Sequence, residues 1–249
     1  MSGHSKWNNI QHRKGAQDKK RAKLFTKLGR EITVAAKEGG GDPGFNPRLR
    51  LAIEKAKAGN MPKDALERAI KKGTGELEGV DYTELRYEGY GPAGTAFIVN
   101  TLTDNKNRTA SEVRMVFSRK GGNLGTDGAV AWMFKKQGFI SVKKDDIDSD
   151  EFMMIALEVG AEDVVEGDTS FEVTTDFSDL QDVLDKIKEA GYTYDEAEIE
   201  MSAENNVEIN DLETAKAVMA LYEALDDLDD VQEVYSNFEI PDEILEKLG

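Results

Sequence analysis

The chain has 249 residues, 39% of them hydrophobic and none of them cysteine, so a sizeable buried core is within reach while disulfides and thiolate chemistry are excluded. No run approaches the ~18 apolar residues of a membrane span, and the first twenty residues are hydrophilic, so no secretory signal core is expected and the cytoplasm is the expected location. The formal net charge of −17 conceals two opposed modules: residues 1–75 hold 18 Lys and Arg against 7 Asp and Glu, and residues 76–249 hold 14 against 42. Such asymmetry points to a nucleic-acid-facing module joined to a body of different character.

Residues 3–27, GHSKWNNIQHRKGAQDKKRAKLFTK, carry the concentrated basic charge. Up to about Lys14 there is neither apolar periodicity nor a cap, which predicts an extended arm. Lys6, Arg13 and Lys14 are candidates for phosphate contact, with Trp7 and His12 for stacking on unpaired bases. Trp7 has a second reading as a hydrophobic staple onto the module that follows. From about Ala16 a helix is predicted, because Leu24, Leu28, Ile32 and Ala36 recur every four residues with Phe25 beside them. Lys19, Lys20, Arg21, Lys23 and Lys27 extend the phosphate-binding set, with the lysines and Arg30 largely off that apolar stripe. The helix ends at Gly39-Gly40-Gly41.

Asn46-Pro47 reads as an N-cap and first-turn proline, opening a second helix to about Ala58 that buries Leu49, Ala52, Ile53 and Ala56 and shows Arg48 and Arg50. A third helix opens at Asn60-Met61-Pro62 by the same logic, with Ala65, Leu66, Ala69 and Ile70 inward and Lys63, Arg68, Lys71 and Lys72 outward. Three short amphipathic helices predict a small bundle.

After Gly73-Thr74-Gly75 the period changes. Leu85, Tyr87 and Ala96-Phe97-Ile98-Val99 predict two strands around a Tyr90-Gly91-Pro92 turn. Gly89, Gly91 and Gly94 satisfy GxGxxG, but a proline sits inside and a strand follows, so a hairpin turn is the reading rather than a dinucleotide site. Asn107–Lys120 predicts a helix with Val113 and Phe117 inward and Arg108, Arg114, Arg119 and Lys120 toward solvent. The following Gly121–Gly128 loop lacks the GK[ST] ending of a triphosphate loop and reads as a connector or backbone-contact surface, with phosphate contact through its N–H groups as the sharper alternative. A strand is predicted over Ala129–Phe134.

From Gly138 the pattern becomes strand (Phe139–Val142), helix (Ser149–Val159), strand (Asp163–Val165), strand (Phe171–Thr175), helix (Leu180–Ala190), strand (Ala197–Met201), the split βαββαβ order. The last segment predicts a helix (Leu212–Leu228), a strand (Val231–Phe238) and a short tail helix. A helix and a strand cannot bury a sheet face alone. The predicted architecture is therefore α+β and multidomain: a basic three-helix domain with its arm (1–76), a discontinuous α+β domain (77–135 with 207–249), and an inserted acidic ferredoxin-like domain (136–206).

Catalytic constellations are scarce. Only His4 and His12 are present, both in the arm, and there is no cysteine, so zinc sites and Cys/His nucleophiles are not expected. No EF-hand spacing is present among the carboxylates. No enzyme activity, cofactor, metal or small-molecule substrate is expected. The acidic body either keeps the protein soluble and bars nonspecific wrapping, or meets a basic protein partner.

Long motifs then point to a family. GHSKWNNIQHRKGAQDKKRAKLFTKLGREI, NPRLRLAIEKAKAGNMPKDALERAIKKG, YEGYGPAG, TDNKNRTASEVRMVFSRKGGNLG and VQEVYSNFEIP resemble the YebC family from end to end. The resemblance implies a helical domain and two α+β domains, one inserted in the other. It carries two functional labels, a DNA-binding transcriptional regulator and a translational activator linked to ribosomes and to relief of elongation stalled at proline-rich stretches. A tryptophan-bearing basic arm without a groove-reading helix fits folded RNA better than duplex DNA. The expected partners are therefore nucleic acid, with ribosomal RNA ahead of DNA, and the ribosome, without a membrane. The expected contacts add Arg48, Arg50, Asn107, Arg108, Arg119 and Lys120 to the arm and first-helix set.

Overall fold

In the computed structural model, residues 17–145, 147–167 and 169–248 are described, with side chains from Arg21 onward. Lys6, Trp7, His12, Arg13 and Lys14 lie outside the described residues. The fold is mixed α+β, and the chain divides into two compact units, residues 134–202 forming one and residues 17–133 with 203–248 the other.

The second of these begins with α1 (Gln17–Gly39), α2 (Pro47–Ala58) and α3 (Lys63–Gly73). Leu28, Ile32, Ala35 and Ala36 of α1 pack against Leu49, Ala52, Ile53 and Ala56 of α2 and Ala69 of α3. The predicted stripe starts one turn late: Leu24 is 39% exposed, whereas Leu28 is 7% exposed. Asn46 caps α2 as expected, its Oδ1 accepting from the Leu49 amide at 3.0 Å while Nδ2 donates to the carbonyls of Ala35 and Gly40, both at 2.8 Å. The start of α3 works differently. Asn60 adopts left-handed φ 57 and closes α2, and no side chain caps α3. The Pro62 carbonyl receives the amides of Ala65 and Leu66 instead.

Where α3 crosses α1 the backbones nearly touch. A Cβ on Gly73 would lie 2.4 Å from the Thr33 carbonyl and 2.7 Å from the Ala36 Cβ, so glycine is required there by close approach.

The same unit contains β1 (Thr83–Tyr90), β2 (Ala96–Thr103), α4 (Lys106–Arg119) and β3 (Asn123–Leu124). Its chain resumes after residue 202 with β8 (Val207–Glu208), α7 (Leu212–Asp226), β9 (Val231–Ser236), β10 (Phe238–Glu239) and α8 (Asp242–Leu248). The sheet order is β3-β1-β2-β9, antiparallel throughout, with Phe97 opposite Ser236 and Val99 opposite Val234. Phe97 and Val99 pack with Val113 and Phe117 of α4 and with Val218, Leu221 and Leu225 of α7. The single strand predicted over Val231–Phe238 is broken at Asn237. Its side chain accepts from the Ala96 amide at 2.7 Å and donates to the Asn205 carbonyl at 3.2 Å, leaving Phe238 and Glu239 to pair in parallel with β8.

The strand predicted over Ala129–Phe134 does not form. Glu88, buried on β1, accepts from the amides of Gly128 at 2.9 Å and of Val130 and Ala131 at 2.8 Å. These donors are then unavailable to a ladder, and Ala131–Met133 is a 3₁₀ turn. Burial acts to raise the Glu88 carboxyl pKa, and the three amides outweigh it, leaving the pKa lowered.

The other unit comprises β4 (Phe134–Lys143), α5 (Ser149–Glu158), β5 (Asp163–Glu166), β6 (Ser170–Asp176), α6 (Leu180–Glu189) and β7 (Tyr194–Ala203, of which Ala203 belongs to the unit that begins with α1). Its strand order is β5-β6-β4-β7. Ile140, Val142, Phe171 and Val173 alternate inward along β4 and β6, and Phe152 of α5 meets Phe171 at 4.6 Å between ring centroids. Leu180, Val183, Leu184 and Ile187 form the buried face of α6.

Gly73→Ala is expected to lower unfolding free energy by about 2 kcal/mol through overpacking, measured by urea denaturation; a neutral substitution would show that α1 and α3 separate without cost.

Candidate nucleic-acid interface

The basic face of α1 does not stand free in solvent. It meets the acidic segment Asp226-Asp227-Leu228-Asp229-Asp230, which begins at the last residue of α7. Lys23 donates to the Asp226 carbonyl and to Asp227 Oδ1, the latter at 2.9 Å. Lys27 pairs with Asp226 at 2.6 Å and donates to the Gln232 carbonyl at 3.3 Å. Burial lowers the Lys27 ammonium pKa in spite of Asp226 beside it. Arg30 reaches Asp230 Oδ1 at 2.7 Å, the Asp229 carbonyl at 2.9 Å and the Leu102 carbonyl at 3.0 Å.

Asp230 is the centre of this cluster. Its side chain is 2% exposed and accepts from Arg30, from Arg108 at 2.7 and 3.0 Å, from Thr109 at 2.7 Å and from Thr103 at 3.2 Å. Burial opposes its charge, but the hydrogen bonds from Arg108, Thr109 and Arg30 prevail and bring the carboxyl down to about 2 from 3.8. Arg108 also bonds Asp104 at 2.7 Å, and these carboxylates hold its guanidinium pKa well above the usual range.

The other sequence-predicted residues divide by what they touch. Lys19 and Lys20 lie in the first turn of α1, their side chains outside the described residues. Arg21 lies over the Phe25 ring, 5.6 Å from its centroid. Arg48 is held by Glu31 at 2.7 and 3.1 Å, by Glu38 at 2.7 Å and by Glu84. Burial opposes its charge, and these carboxylates more than offset that. The Arg50 Nε donates to the Pro43 carbonyl at 3.1 Å. Asn107 is exposed on α4, its carbonyl accepting from Ser111 at 2.8 Å. Arg119 and Lys120 stand exposed at the C-terminal end of α4, where the helix dipole favours cations.

The exposed cations with no carboxylate ion pair among the described residues include Lys57, Lys71 and Lys72 on α2 and α3, and Lys106, Arg114, Arg119 and Lys120 on and beside α4. Five of these were absent from the sequence-derived set. The signal for the clamped residues was present in the sequence, since four aspartates within five residues at a helix C-terminus oppose the dipole unless cations meet them. The glycine-rich loop after α4 does not offer its N–H groups outward at three positions. Gly122 donates to the Phe117 carbonyl and Gly125 to the Glu88 carbonyl, both at 2.8 Å, and Gly128 donates to the Glu88 carboxylate. No metal-binding group of three or more His, Cys, Asp or Glu occurs among the described residues, and no helix among them is long and apolar enough to cross a membrane.

Residues 5–76 match the TACO1/YebC protein N-terminal domain and residues 82–238 the TACO1/YebC second and third domain. The chain belongs to the TACO1/YebC family. A relative in Fusobacterium nucleatum, named a probable transcriptional regulatory protein, is 78% identical over 248 residues covering the whole of both chains. One in Halothermothrix orenii with the same name is 56% identical, covering 100% of this chain and 99% of its own. The crystal structure of a conserved hypothetical protein from Aquifex aeolicus, 50% identical, superposes with a TM-score of 0.84 over 92% of this chain and 94% of that one.

Because the Asp230 pKa is depressed, its contribution to stability is fully present above about pH 4 and is lost as pH falls toward 2. That contribution is about 2 kcal/mol. Denaturant unfolding of Asp230→Asn is expected to show lower stability at pH 7 and a flatter pH dependence between 4 and 2 than the parent chain. An unchanged slope would mean that Asp230 is not the titrating group.

Proposed function

We propose that this chain regulates gene expression as a non-catalytic nucleic-acid-binding protein, with structured ribosomal RNA as its target and relief of stalled elongation as the result. The observation that carries the reading is the sorting of its cations. Lys23, Lys27, Arg30, Arg48 and Arg108 are neutralised internally, whereas Lys71, Lys72, Arg114, Arg119 and Lys120 remain open to phosphates. Lys6, Arg13, Lys14, Lys19 and Lys20 join them as arm contacts, and Trp7 and His12 serve as stacking groups.

Neither α2 nor α3 offers a row of base-reading side chains. The exposed face of α3 is largely charged and includes the pairs Lys63–Glu67 and Arg68–Asp64. Recognition by backbone and shape is the mode such surfaces support. We assign the family's layout to the chain as a helical domain (1–76), a discontinuous domain (77–135 with 207–249) and an inserted ferredoxin-like domain (136–206).

A second reading, a DNA-binding transcriptional regulator, draws on the names of the relatives. The two separate in one experiment: crosslinking in cells followed by sequencing of bound RNA and DNA. Enrichment at ribosomal RNA supports the first reading; discrete promoter sites resistant to competitor RNA support the second and sink the first.

In vitro, replacing Lys71, Lys72, Arg119 and Lys120 with alanine is expected to weaken binding to a folded ribosomal RNA fragment about tenfold. The slope of log affinity against log salt is expected to fall by roughly 0.7–0.9 for each phosphate that is no longer neutralised. Arg48→Ala is expected to cost stability while leaving that slope unchanged. Equal slopes in the parent and the quadruple variant would rule these cations out.

A further inference from the structure

Two helices cover the inner face of the 134–202 sheet, and they differ on the outside. The exposed side chains of α6 before its C-cap are Asp182, Lys186 and Glu189, all charged. On α5 the outward face carries Met154, 62% exposed, and Leu157, 51% exposed. Their spacing of three residues makes them neighbours on one helical surface. Nothing in the fold of this unit requires them to be apolar, since Phe152 and Ala156 already supply the buried side of α5.

The segment that carries this pair is acidic, with Lys186 of α6 at the C-terminal end of α5, where it donates to the Val159 carbonyl at 3.4 Å. Residues 145–168 hold ten Asp and Glu and no Lys or Arg. Glu162 and Glu166 are engaged by Lys135 and Lys144. Asp150, Glu151 and Glu158, on the same helix as Met154 and Leu157, are exposed and have no ion-pair partner among the described residues. A carboxylate rim around an apolar pair repels nucleic acid and attracts cations.

We propose that the outer face of α5 is a docking surface for a lysine- or arginine-rich polypeptide segment that carries apolar anchors. Met154 and Leu157 receive the anchors, methionine adapting its shape to them. Asp150, Glu151 and Glu158 meet the flanking cations and set the orientation of the segment. This surface stands apart from the nucleic-acid reading: it lies on the acidic unit and selects the opposite charge.

The test uses the full chain and two fluorescent probes of equal charge, an amphipathic leucine–lysine peptide and a glycine–lysine peptide. Met154→Ser with Leu157→Ser is expected to raise Kd for the leucine–lysine peptide about tenfold and to leave the glycine–lysine peptide unchanged. Asp150→Asn with Glu158→Gln is expected to weaken both. All four side chains are exposed, so circular dichroism and thermal melting should match the parent chain, and RNA affinity should not fall in either variant. Equal binding of the leucine–lysine peptide by parent and apolar variant overturns the proposal. So does sedimentation showing a dimer of the parent chain that the apolar variant abolishes, because the occupant is then a second copy.

Discussion

One buried carboxylate ties together the elements of the unit that begins with α1. Asp230 sits where three elements converge: α1 through Arg30, the start of α4 through Arg108 and Thr109, and the end of β2 through Thr103. Its backbone carbonyl accepts from the Leu102 amide at 2.9 Å, which fixes the entry into β9. A carboxylate with two guanidinium and two hydroxyl donors is fully solvated by protein, so its burial carries no unmet charge. The rest of the α1 contact follows from that anchor, with Lys27 and Lys23 closing on Asp226 and Asp227 one and two turns further back along the helix.

This arrangement changes the meaning of the basic module. In the sequence, α1 looks like a cationic helix with one face buried and one offered to phosphates. In the structure its charges serve two purposes, the middle of the helix binding the protein's own acidic segment. Net charge by segment therefore overstates the surface available to a polyanion. The usable cations are those whose neighbours in space are not carboxylates, and that is a tertiary property.

Much of the fold was legible because its signals are local. Asn46 followed by Pro47, the Leu28–Ile32–Ala36 repeat and the alternation of Phe171 and Val173 each specify an element from within a few residues. What escaped was set by distant partners. Ala129–Phe134 has strand-like composition, but Glu88, forty residues away, takes the amides a strand would use. Lys23 and Lys27 have the same spacing as any solvated lysines, and only the aspartates two hundred residues later distinguish them. For the site the lesson is similar: Arg119 and Lys120 were visible as exposed residues at a helix end, whereas Arg48 and Arg108 look equally accessible in sequence and are ion-paired with acids.

The pairing of β2 with β9 has a consequence for the order in which the molecule can assemble. Phe97 waits for Ser236, a separation of more than half the chain, so this pairing is among the most non-local in the fold and is entropically slow to form. During synthesis the α1–α3 bundle and the β1–β2 hairpin emerge early, and residues 134–202 complete a self-contained sheet next. Until residues 231–236 leave the ribosome, β2 is an open edge presenting Phe97, Ile98 and Val99, the kind of apolar strand prone to pairing with the wrong chain.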